Sequence, residues 1–320
     1  MASLAAMVSG CHEMDVETRL EADGSATRNI ELRTEATPED TMITLDEYRA
    51  LMGVTKERGW THTVSRKTRK ESGEQFDYHT FKRSHKTTKT GDLPGMSGDI
   101  FFMGSVTNPV FDHVRFSNTI EVATGATIAG KTIAYRESFY WPGLVEALLD
   151  YRLEQFRPGL ENAYPGLGLD EIEVWYAFFR GTFMAAVDDR ILEMKSSERY
   201  DRFTGSIDRV TAEAMIRIRT RTPGADDAFV TAMVRSIFVE WDEFENTAEE
   251  MGLMGVVLGV GLKLTLRVDV PGRIVETNAD RIEAYTDPGA GRQKLVWDID
   301  PGMAMWRPLV VYVKTEIPGR

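Results

Sequence analysis

The chain has 320 residues, 42% of them hydrophobic and 28% charged, with a formal net charge of −12. That balance is globular and far from the signature of disorder, and the acidity argues against general nucleic-acid binding. One cysteine in the whole chain excludes an intramolecular disulfide, and the length suits one large or two ordinary domains.

The first feature is that cysteine. "MASLAAM" opens the chain without a charge, and "VSGC", Val8 to Cys11, follows. An aliphatic residue, two small residues and a cysteine resemble a bacterial lipobox. The small side chains let a peptidase bring its catalytic groups close to the bond before the cysteine. Residues 1–10 then read as a residual signal peptide, with Cys11 as the lipid-attachment site. The basic n-region of a secretory signal is absent, which suits a start upstream of Met1. The alternative is an incidental cysteine near a frayed end.

Strand patterning begins almost at once. Met14, Val16, Thr18 and Leu20 alternate with Asp15, Glu17, Arg19 and Glu21, the period-two pattern of a half-buried strand. "ADGS" predicts a hairpin turn, and the return strand puts Ile30 and Leu32 on one face. Arg28 falls on that same face, nearer the turn. Thr44 or Asp46 caps a short predicted helix carrying Tyr48, Leu51 and Met52, which Gly53 ends. From Lys56 to Lys89 the chain carries ten Lys/Arg and four Asp/Glu, a local charge of about +6 in an acidic protein. This stretch reads as a hairpin. Its basic side chains are either a solvated face or a contact for anionic headgroups or another anionic envelope polymer, and Lys67, Arg69, Lys82 and Arg83 are the candidates. Residues 91–113 read as a loop. Two long strands follow around Gly125 to Gly130, with Tyr135, Phe139 and Trp141 at even spacing and Glu137 out of character among them.

At Pro142 the period changes. Leu144, Leu148, Leu149 and Phe156 recur at helical spacing, and Pro158 with Gly159 is expected to stop that helix. Three further helical patterns follow: 168–197, 204–221 with Thr204 or Ser206 as cap, and 222–252 with Thr222 as N-cap and Pro223 in its first turn. No run reaches the 18–20 apolar residues of a membrane span. From Leu262 the chain returns to strand: Leu262, Leu264, Leu266, Val268 and Val270 alternate with polar residues, and strands are predicted at 273–277, 294–299 and 308–317. The expected fold is α+β: an antiparallel sheet formed by the N- and C-terminal segments with a large all-helical insertion. The domains would be 11–142 with 254–320, β-rich, and 143–253, helical.

Chemistry-bearing motifs are sparse. There is no Walker loop, G-x-S-x-G, H-E-x-x-H or C-x-x-C. His79 and His85, six apart in a strand, lie about 20 Å from one another, too far to share a metal. Carboxylates cluster at Asp188, Asp189 and Glu193 and at Glu240, Asp242 and Glu243, but the helical region holds no histidine for a di-iron motif. No catalytic residue, metal site or cofactor is assigned.

A cysteine followed by a strand and a "DGS" hairpin, then "VPGRIV-TNAD" (Val270 to Asp280) and "KLVWDID" (Lys294 to Asp300), resembles the LppM-type lipoprotein domain of mycobacteria and cyanobacteria. The resemblance covers Cys11 to Glu35 and Val270 to Asp300, and it does not reach the helical middle. It implies a non-enzymatic envelope domain, lipid-anchored through Cys11 on the extracytoplasmic side of a bacterial cell and suggested to bind lipid or glycolipid. Two functions are expected from this: holding a lipid, glycolipid or other apolar ligand between sheet and helices, or docking a partner in an envelope complex through the helical insert. Beyond the membrane itself, neither ligand nor protein partner is identified, and no nucleic acid is expected.

Overall fold

A computed structural model describes residues 13–36, 44–68, 75–96, 116–128, 130–163, 262–283, 291–305 and 307–319, together with Gly73 and scattered positions between 168 and 220. The chain divides into two compact units. The first is built of strands β1 (Glu13–Leu20), β2 (Ala26–Ala36), β3 (Thr61–Thr68), β4 (Gln75–Thr87), β5 (Ser117–Thr127), β6 (Gly130–Tyr140), β7 (Lys263–Pro271), β8 (Arg273–Thr277), β9 (Arg281–Glu283), β10 (Arg292–Ile299) and β11 (Leu309–Pro318), with helix α1 (Leu45–Met52). The second contains helix α2 (Leu144–Ala163).

The strands form two sheets. The larger has the order β3-β4-β2-β1-β7-β10-β9, and the smaller the order β5-β6-β11-β8. In β1 the alternation works as the sequence dictates: Met14, Val16, Thr18 and Leu20 are buried, and the acidic residues between them are only half-buried. The Asp23–Gly24 turn closes the first hairpin. Gly24 has φ +92°, and Asp23 Oδ1 accepts from the backbone N–H and hydroxyl of Ser25 at 2.9 and 2.7 Å. β1 then lies antiparallel to β2 and parallel to β7, Glu13 opposite both Arg33 and Lys263. A strand from each end of the chain thus meets at the middle of one mixed sheet.

The two sheets face one another across a core. Val16, Leu20, Ile30, Leu32, Phe81, Leu266, Val268 and Leu295 come from the larger, and Ile133, Tyr135, Phe139, Val311 and Val313 from the smaller, all buried. Each such side chain contributes about 1.5–3 kcal/mol relative to exposure. The chain passes between the sheets at Gly272, where β7 ends in one and β8 begins in the other. Asn278, just beyond β8, ties the sheets together. Its Nδ2 donates to the Val310 carbonyl at 2.8 Å, and its Oδ1 accepts from the Tyr312 amide at 2.9 Å and from Trp297 Nε1 at 3.0 Å.

This corrects the expected architecture. The described residues are dominated by β-structure in two sheets, one of them mixed, in place of a single antiparallel sheet. The C-terminal strands are shared between the sheets, because Gly272 turns the chain from one to the other. No large all-helical insertion is seen among the described residues, where the α-helices with defined bounds are α1 and α2. The helical patterns expected within 222–253 lie outside the described residues, as do most of those within 168–221.

α2 also runs through Pro158, which was expected to stop it, and reaches Ala163. Pro158 supplies no N–H to the helix, but its fixed φ is itself helical. Contacts hold the turn before it: Arg157 donates to Glu154 at 2.9–3.0 Å and to Glu173 at 3.3 Å, and Tyr176 Oη donates to the Leu153 carbonyl at 2.6 Å. Among the described residues no helix is long and apolar enough to cross a membrane.

Candidate functional site

Two places in the β unit gather ionisable side chains. The first lies between the sheets. Arg28 of β2 and Glu137 of β6 are the two charges that broke the apolar patterns of their strands, and they are partners: Nη2 donates to Oε1 at 2.6 Å, with both side chains wholly buried. Arg28 Nη1 also donates to Thr18 Oγ1 at 2.7 Å, Tyr135 Oη donates to Glu137, and Asn118 Nδ2 donates to Glu137 Oε1 at 2.8 Å. Burial alone would lower the Arg28 pKa, but the facing Glu137 carboxylate outweighs it and holds the guanidinium firmly protonated. Burial, then the charge of Glu137, pushes the Tyr135 phenol well above its ordinary value, so it remains a neutral donor. With both charged side chains wholly buried, this network joins the two sheets.

The second place is the basic hairpin. β3 is the edge of the larger sheet, and all eight of its residues are exposed. The registers fix where it stands. Glu13 is opposite Arg33, Arg33 opposite Thr80, and Thr80 opposite Thr63. β3 and β4 continue past that row for five residues, to Thr68 and Gln75. At about 3.3 Å per residue the ribbon therefore projects ~16 Å beyond the first residue of β1. Laterally it stands three strand spacings away, about 14 Å. The ribbon tip and the start of β1 lie at the same end of the sheet, and β1 starts two residues after Cys11.

The four basic candidates do not converge. Lys67 and Lys82 share the outer face but stand six rows apart, about 20 Å. Lys67 sits over the Tyr78 ring, 3.2 Å from its centroid. Lys82 is matched by Glu31 at 2.8 Å. Glu31 belongs to a lattice of ion pairs that continues through Arg33 to Glu13 and Asp15, and from Asp15 to Arg267. Arg83 lies on the opposite face, with His79 and Phe81. Arg69 and Cys11 are outside the described residues. Within the ribbon Arg66 pairs with Asp77 at 3.2 Å, so Lys67 is the described tip cation that no carboxylate is seen to match.

Spacing along β4 bears on His79 and His85 and says nothing of His62. Across the β3–β4 ladder His62 Nε2 and His79 Nδ1 are 3.0 Å apart. The His62 ring stacks on Phe81, with centroids 4.4 Å apart. The signal was available in principle, since an antiparallel hairpin brings some pair of residues from its two arms together, but only the register says which. Among the described residues no three metal-binding side chains gather.

Fold and site together define a two-sheet β unit with a buried polar network and a basic edge ribbon. Comparison with known families, characterised proteins and solved structures finds no match to this chain. The segments that carry the LppM-type resemblance have structural work in this fold: the glycine of "VPG" turns the corner between sheets, and the asparagine of "TNAD" bonds the tryptophan of "LVW".

Proposed function

We propose that this chain is a non-enzymatic, lipid-anchored protein of a bacterial envelope whose β3–β4 ribbon rests on anionic headgroups around its own anchor. The observation that carries this reading is the shared end of the sheet. Two residues of chain span at most about 7 Å, so a lipid on Cys11 would bring the start of β1 to the membrane surface. The ribbon, projecting ~16 Å past that start, would then reach the headgroup layer. Large side chains such as Met14, Arg28, Phe81, Tyr135 and Trp141 are buried inside the β unit, and the contact proposed lies on its surface.

The contact is measurable without the anchor, on the full chain carrying Cys11→Ser and vesicles with and without anionic lipid. Each Lys or Arg at an anionic surface contributes about 1 kcal/mol, fading within a Debye length. Lys67→Glu with Arg69→Glu removes two such contacts and weakens binding about thirtyfold or more at low salt. Lys82→Glu weakens it less, because Glu31 already matches that charge. Equal binding to neutral and anionic vesicles, or binding unchanged by the double reversal, overturns the reading.

A further inference from the structure

We propose that His62 and His79 form a proton-operated clasp: as neutral rings they hydrogen-bond across β3 and β4 and hold the edge strand on the sheet, and when both are protonated they repel and β3 loosens. The inference is independent of membrane contact and concerns the ribbon alone.

The geometry is specific. The pair is diagonal, since His62 lies opposite Phe81 and His79 opposite Val64. A 3.0 Å separation between Nε2 and Nδ1 requires one nitrogen to donate and the other to accept. The two rings lie 15° from parallel with centroids 5.2 Å apart, and His62 is further held against Phe81. Few other side chains fasten β3. Val64 is 52% exposed, and the Arg66–Asp77 and Lys67–Tyr78 contacts lie on the surface.

The surroundings decide what protons do. His79 is buried, while His62 is reached by solvent. From α1, Arg49 adds positive charge to both rings, and it is only loosely matched by Asp46 at 3.4 Å. Asp77 on β4 favours a proton on His79, but its carboxylate is shared with Arg66. Tyr48 of α1 lies on Phe81 with its phenol pushed up by burial, so it stays neutral. From β2 the residue opposite His79 is the uncharged Thr34. Farther along the same β4 face stand Arg83 and His85. Burial first, then Arg49, lowers the pKa of His62, and burial first, then His62 and Arg49, lowers that of His79.

The pair can take one proton and keep its bond, as N–H⁺ to N. It cannot take two, because both facing nitrogens would then be donors. In an unfolded or detached β3 both rings titrate near the ordinary histidine value of about 6.5. Below that pH the open state binds more protons than the closed one, so the clasp is firm above about pH 6.5 and fails progressively as pH falls.

The test is a histidine titration by NMR with hydrogen exchange on the full chain, without lipid. The wild type should show two coupled steps for this pair, the second well below the ordinary value. After correction for intrinsic rates, protection of the 61–68 amides should fall at least tenfold between pH 7 and pH 5 relative to the β1 amides. His62→Gln, at an exposed position, should leave His79 titrating in a single, higher step and abolish the pH-dependent part of the loss. His79→Gln is the matching variant if it folds. Two independent titrations near 6.5, or β3 protection that follows β1 at every pH in the wild type, overturns the clasp.

Discussion

At the scale of the residue, the Arg28–Glu137 pair carries the sharpest consequence. A buried ion pair is weak evidence of net stabilisation, since desolvating both groups offsets much of their attraction, but removing one partner strands the other's charge. Glu137→Ala leaves Arg28 charged and wholly buried, with Thr18 and Tyr135 as remaining neighbours. The expected loss is about 3–5 kcal/mol, read as a lower urea midpoint at unchanged slope. The double variant Arg28→Met, Glu137→Leu should recover most of that loss. A Glu137→Ala cost below about 1 kcal/mol would show that the pair holds little. Each of these residues stood out in the sequence as a charge on an apolar face. Their partnership did not, because 109 residues separate them and only sheet stacking sets them together.

At the scale of the element, the corner at Gly272 decides whether β7 and β8 belong to different sheets. Gly272 has φ +86°, and a Cβ there would overlap the Glu316 carbonyl of β11. Gly24, in the first hairpin, has φ +92° with open space around it. Gly24→Ala therefore meets only backbone strain, about 1–2 kcal/mol. Gly272→Ala meets the same strain and a backbone collision, so its loss should exceed that of Gly24→Ala in matched urea unfolding. Equal losses would mean that the corner relaxes freely. α2 carries the complementary lesson. Pro158 with Gly159 is a sound stop signal from local rules, yet the helix continues to Ala163, with Arg157 and Leu153 just before the proline bonded to Glu173 and Tyr176. Local propensity does not decide the helix end there.

At the scale of the whole molecule, the reading turns on Cys11. If "VSGC" is a lipobox, the mature protein expressed from its native start begins at a diacylglyceryl-modified Cys11 and fractionates with membranes. Cys11→Ser moves it to the soluble fraction. Mass spectrometry of the N-terminus checks both outcomes, and a wild type that is soluble and retains residues 1–10 removes the anchor from the proposal.

The sequence by itself determined most strand positions in the β unit, because period-two alternation and turn chemistry are local: Met14 to Leu20, Asp23–Gly24 and Leu262 to Val270 need no distant partner to be read. It also exposed the charge excess of the hairpin and the anomalies at Arg28 and Glu137. Alternation also put Lys82 and Arg83 on opposite faces of their strand. The sequence did not show that β1 pairs in parallel with β7, that the C-terminal strands divide between two sheets, or that His62 meets His79. Those are matters of register and stacking, and they depend on contacts between residues far apart in the chain. Alternation says which face a side chain takes, but only the packed fold says what stands opposite it.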